Sequence, residues 1–181
     1  MILQTNFKNQ IHVFGSKSHT LKFLQKKIKN SKIEPIYDFT VDEWTENPKL
    51  ILKNISIKFD SKIIIRSSAL GEDSLESSQA GNFQSVLNIK PSSQNSVKNA
   101  IDSVIKSYGN VDYVSKNNQI LIQKQSENIS VSGVVFTRTP ENASPYYVIN
   151  YDESCSTVGV TSGIVGNVIK IFRNTDIKQL P

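Results

Sequence analysis

An unbroken β-branched run, Ile63-Ile64-Ile65 between Lys62 and Arg66, sets the tightest constraint on this chain. Three such side chains in succession do not alternate between core and solvent, so the run suits a strand covered on both faces. It stops abruptly at Arg66-Ser67-Ser68-Ala69-Leu70-Gly71-Glu72-Asp73-Ser74, a polar segment rich in hydroxyls. Polar groups gathered just past the end of a buried strand are where open α/β sheets place ligands.

Other segments read less sharply. Ser18 and Thr20 offer caps for a helix running to about Asn30. Lys32 to Asp38, with Pro35, reads as extended or as a connector, and Val41 to Leu52 as a short helix broken near Pro48. Residues 74 to 85 read as a loop and Val86 to Ile89 as a strand. The clearest helix spans Ser96 to Tyr108: Val97, Ile101, Val104, Ile105 and Tyr108 fall at i, i+4, i+7, i+8 and i+11. Ser96 would cap its start, and Gly109 would take the left-handed position beyond its end. The last third reads as strands at 119–124, 130–137, 146–151, 158–161 and 168–173, separated by turn formers. Helix-rich, then mixed, then strand-rich order favours an α+β fold in two lobes, residues 1–115 and a strand-rich 116–181.

Composition excludes several classes. Hydrophobic residues make up 38% and charged residues 20% of the 181, too apolar for a disordered chain. No apolar run approaches the roughly 18 residues of a membrane helix. Asn6, Lys8, Asn9 and Gln10 interrupt any secretory leader, so a cytoplasmic protein is the expectation. The single cysteine, Cys155, excludes an internal disulfide framework and a Cys-based zinc site.

The net charge of +5 raises nucleic acid as a partner. Only three of the 21 basic residues are arginines (Arg66, Arg138, Arg173), and the lysines are dispersed rather than interleaved with aromatics. Lys22, Lys26, Lys27, Lys29 and Lys32 read as one solvated helix face. A polyanionic small ligand such as a nucleotide suits the same charge.

Common catalytic constellations are missing: His12 and His19 have no metal-ligand spacing, and Cys155 has nothing nearby to lower its pKa. What remains suits phosphate. Lys17, in Phe14-Gly15-Ser16-Lys17-Ser18 just before a helix, would bring an ammonium and amide donors together. Arg66 offers a planar fork of donors that lysine lacks. Ser67 and Ser68 add hydroxyls, and Gly81 in Gln79-Ala80-Gly81-Asn82-Phe83 would let backbone amides approach a ligand. Taken singly, Lys17 reads as a surface residue and Arg66 as a structural one.

Three motifs together carry a resemblance. Arg66-Ser67-Ser68-Ala69 with Glu72-Asp73 and Ala80-Gly81 resembles the nucleotide-binding domain of the phosphoenolpyruvate synthase and pyruvate phosphate dikinase family. Ser132-Gly133-Val134-Val135-Phe136-Thr137-Arg138-Thr139-Pro140 is similar to that family's Ser-Gly-Val-x-Phe-Thr-Arg-x-Pro, and Gly15-x-Lys17 to its Gly-x-Lys. The resemblance implies an ATP-grasp-like fold, two α+β lobes with ATP bound between them, and ATP and Mg2+ as ligands.

It also implies roles. Lys17 and Arg66 would contact the phosphates and act in catalysis, while Gly81 and Ser85 would belong to the loop that closes over them. Gln123 resembles the glutamine at the adenine hinge, with Lys124 and Gln125 offering backbone groups to the base; capping a strand edge is its alternative. Arg138 joins the ATP-binding set, with packing or a lobe contact as the other reading. Asn150 falls where the family has an Asn or Glu near the metal. The Gly-Leu-Gly-Glu expected after it is replaced by Tyr151-Asp152-Glu153-Ser154. Asp152 or Glu153 would then supply the magnesium carboxylate, Glu153 being the one paired here with Asn150; a solvated turn is the alternative.

The implied activity converts ATP to AMP and passes the β-phosphoryl group, through a histidine on a separate swivelling domain, to an acceptor on a further domain. These domains are expected in a longer chain. The chain also resembles L-glutamine kinases of bacterial capsule phosphoramidate synthesis, which makes L-glutamine the first acceptor and pyruvate the second. A non-catalytic ATP sensor and a basic nucleic-acid-binding domain are the alternatives from other classes.

Overall fold

A computed structural model describes residues 15–69, 84–109, 116–154 and 166–175. Among them four helices and two antiparallel sheets make an α+β fold, divided into two compact units, Met1–Gln125 and Ser126–Pro181.

The first unit holds β1 (Ile36–Thr40), β2 (Ile63–Ser68), β3 (Ser85–Ile89) and β4 (Gln119–Lys124) in the order β1-β4-β2-β3. Every pairing is antiparallel, in keeping with the α+β expectation. Strand β2 is interior, flanked by β3 and β4, with Ile63 and Ile65 fully buried on the core face and Ile64 half-buried on the other. Because β4 pairs with both β1 and β2, it belongs with them, and the break between units follows Gln125 rather than residue 115.

One sheet face carries the core. Helices α2 (Val41–Glu46), α3 (Pro48–Lys58) and α4 (Gln94–Lys106) contribute Trp44, Ile51, Ile55, Val97, Ile101 and Val104 against Phe39, Ile63, Ile65, Ile120 and Ile122 of the strands. Each fully buried isoleucine stabilises the unit by about 1.5–3 kcal/mol. Local sequence sets the helix ends. Thr40 and Glu43 form a reciprocal capping box at α2, and Pro48 opens α3 at the first turn, where its missing N–H has no partner to lose. The expected break at Pro48 is thus the start of a second helix. Ser93, not Ser96, is the N-cap of α4; the two hydroxyls bond each other at 2.8 Å. Gly109 beyond its end has φ +108°, the left-handed conformation expected of it.

The opposite sheet face receives α1 (Lys17–Gln25), which stops short of Asn30. Its cap is Ser16 rather than Ser18 or Thr20, because the Ser16 hydroxyl accepts the His19 amide at 3.3 Å.

In the second unit β5 (Ser132–Phe136), β6 (Tyr146–Asp152) and β7 (Asn167–Phe172) form an antiparallel sheet in chain order. Gly133 is required there: a Cβ on it would lie 2.7 Å from the Asn150 carbonyl oxygen. The strand expected at 158–161 lies outside the described residues. No helix among the described residues is long and apolar enough to cross a membrane.

Candidate functional site

Alternation along β2 divides its side chains: Ile63, Ile65 and Ser67 turn toward the helical core, while Ile64, Arg66 and Ser68 turn toward α1. Register extends this second face across the sheet. Arg66 lies opposite Leu121 of β4 and Ser85 of β3, Ser68 lies opposite Gln119, and Gln123 lies opposite Ile64 and Ile36. Asp38 of β1 completes the row through Leu121 to Arg66. A polar strip of Arg66, Ser85, Gln119, Gln123, Ser68 and Asp38 therefore occupies the face that α1 approaches.

Helix α1 is pinned to this strip by named bonds. The Ser18 amide donates to Ser68 Oγ at 2.9 Å, and the Ser16 hydroxyl donates to Gln119 Oε1 at 2.5 Å. The Ser18 hydroxyl donates to Asp38 Oδ2, and Lys22 Nζ pairs with Asp38 Oδ1 at 2.5 Å. Ser16, Ser18 and Ser68 are all buried. Lys17 thus opens a helix whose next residue touches the strand two positions, roughly 7 Å, beyond Arg66. The structure brings the Lys17 backbone and Arg66 to the same sheet face.

One expectation fails in detail. Two of the first amides of α1 are not available to an anion, because Ser68 takes the Ser18 N–H and Ser16 takes the His19 N–H.

The strand end is shaped by Tyr108, just past α4. Its hydroxyl accepts the Ser68 amide at 3.1 Å and donates to the Gln119 carbonyl at 2.5 Å, so it stands between two paired residues of β2 and β4. Ser85 opens β3 as an exposed strand residue opposite Arg66 rather than lying within a loop. Gln84 before it is tied to α4 by Ser107 Oγ at 3.1 Å and by Ser103 at 2.6 Å. Gly81 lies outside the described residues.

Gln123, Lys124 and Gln125 close the first unit. Lys124 N–H donates to Pro35 O at 2.9 Å and Gln125 N–H to Lys62 O at 2.8 Å, so neither amide is available to a base. The Gln125 side chain also works within the fold. It accepts from the Asn88 amide at 2.8 Å and donates to Asn88 Oδ1 at 3.0 Å, holding Asn88 at φ 62° in the irregular stretch of β3.

The remaining candidates belong to the second unit. Arg138 is exposed and donates to Ala143 O at 2.8 Å across the 139–144 turn, where Thr139, Asn142 and Ser144 bond one another. Asn150 and Asp152 share one face of β6, and Glu153 is exposed one residue beyond it. The amide and hydroxyl of Ser154 both donate to Asp152 at 2.8 Å and hold its carboxyl below the usual carboxylate range. Among the described residues no group of three or more His, Cys, Asp or Glu gathers as a metal would need. Asn150 and Asp152 set oxygen donors on one face of β6, both Asp152 oxygens already accepting from Ser154, and exposed Glu153 adjoins them. Carboxylate and amide oxygens of this kind are the hard donors magnesium takes beside phosphate.

Sequence reasoning singled out Ser68 but missed Asp38, Ser18 as its partner, and Tyr108 as a polar residue. The missed signals were a carboxylate in an otherwise apolar strand, Ile36-Tyr37-Asp38-Phe39, and a tyrosine ending an apolar helical stripe.

The family model described as pyruvate phosphate dikinase, AMP/ATP-binding domain, matches residues 18–165. No curated protein matches the chain.

Proposed function

Because the chain belongs to the family of the pyruvate phosphate dikinase AMP/ATP-binding domain, we propose that Lys17 and Arg66 hold the phosphates of ATP on the polar face of its first sheet. Arg66 supplies two parallel N–H donors to adjacent phosphoryl oxygens, and Lys17 a point charge. Gln123, on the same face, stands toward the base. Charge that grows on the phosphoryl oxygens during transfer is neutralised by these cations without rearrangement of the site.

The further steps follow the family. ATP is converted to AMP: the β-phosphoryl group passes to a histidine on another domain and thence to an acceptor, with L-glutamine proposed first and pyruvate second, while the γ-phosphoryl group is taken by water or by phosphate as co-reactant. Magnesium, when bound, would be held by Asn150 and Glu153, with Asp152 adjoining them, and would draw charge from the phosphate oxygens. Gly81 stays in this proposal in the loop that closes over the phosphates, with Ser85 where that loop meets β3, and Arg138 in the ATP-binding set.

One observation carries the reading: the Ser18–Ser68 bond ties the helix that begins with Lys17 to the strand that carries Arg66. The test is a thermal shift. Mg-ATP should raise the melting temperature, and adenosine should do so far less at equal concentration. Equal shifts from both would remove the phosphate contacts from the account.

A second reading, ATP sensing without transfer, draws on Asp152, whose two carboxylate oxygens are both engaged by Ser154. It predicts ATP binding with no AMP formed when the histidine-bearing domain is added.

A further inference from the structure

Asp38 is a carboxylate on the face proposed to hold a triphosphate, two strands, roughly 10 Å, from Arg66. An unneutralised carboxylate there would repel the ligand. Its side chain is 9% exposed, and each oxygen is engaged: Oδ1 by the Lys22 ammonium and Oδ2 by the Ser18 hydroxyl. Both partners lie on one face of α1, a turn apart at i and i+4, so a single carboxylate fixes which face of the helix meets the sheet. The Ser18 amide reaches Ser68 on the neighbouring side, which makes the contact three-pointed.

We propose that Asp38 is a positioning residue: it clamps α1 to the sheet so that Lys17 meets the phosphates that Arg66 holds. This rests on the reading of Lys17 and Arg66 as phosphate contacts. Lys22 neutralises Asp38 and so keeps it from repelling the nucleotide.

The test is a double-mutant cycle on ATP affinity, with Asp38→Asn, Lys17→Met and the pair, each also measured for melting temperature. Asp38→Asn should weaken ATP binding about tenfold in the native background and less than about twofold when Lys17 is already methionine. Equal losses in the two backgrounds, or no loss in the first, would overturn the clamp. If Lys17→Met leaves ATP affinity unchanged, the phosphate reading itself fails and the clamp with it, a result distinct from additivity. Ser18→Ala, which removes one bond and keeps the ion pair, runs the same cycle should Asp38→Asn fold poorly.

Discussion

The hydroxyl of Ser68 accepts the backbone amide of Ser18 at 2.9 Å, a bond between residues fifty positions apart that are both fully buried. It satisfies a helix-start donor with a strand side chain, and it joins the two segments that carry Lys17 and Arg66.

Arg66→Lys should weaken ATP binding at least tenfold despite preserving the charge, because one ammonium cannot reproduce two parallel donors at fixed spacing. Calorimetric titration with Mg-ATP measures it, and an affinity equal to that of the native chain would mean that Arg66 acts by charge alone.

Tyr108→Phe should destabilise the first unit by about 1–3 kcal/mol, since it strips a partner from both the Ser68 amide and the Gln119 carbonyl. Denaturant unfolding should show a lower midpoint with unchanged slope. A midpoint that does not move would show that water replaces the hydroxyl.

Gln125→Ala should cost about 1–2 kcal/mol by releasing Asn88 from its left-handed backbone, with ATP affinity unaltered. Loss of nucleotide binding without loss of stability would instead give the side chain a role at the ligand.

Gly133→Ala should destabilise the second unit by roughly 1–3 kcal/mol, because the added methyl meets a backbone oxygen rather than a movable side chain. Faster hydrogen exchange confined to residues of β5 and β6 is the expected readout. Protection equal to that of the native chain would contradict it.

Legibility in the sequence tracked how local each cause was. The isoleucines of β2, the apolar stripe of α4 and the helix break at Pro48 announce themselves within a few residues, and they appear at or within two positions of expectation. Strand β1 was obscured by Pro35 and by Asp38, whose partners Ser18 and Lys22 lie on another element. The antiparallel pairing of β2 depends on β4, more than fifty residues later, so no window around Ile63–Ile65 could reveal it. The cap of α1 went to Ser16 because Ser18 is drawn into the sheet, a tertiary choice among neighbouring hydroxyls. Lys17 and Arg66 were visible as residue types, and it is the bonds of Ser16, Ser18 and Lys22 to Gln119, Ser68 and Asp38 that relate their positions.

The most direct measurement compares ATP with adenosine on the native chain and on the Lys17→Met, Arg66→Ala double variant. The account predicts that the native chain binds ATP far more tightly than adenosine, and that the double variant binds adenosine as before but ATP no better. A double variant that keeps the native preference for ATP would contradict it.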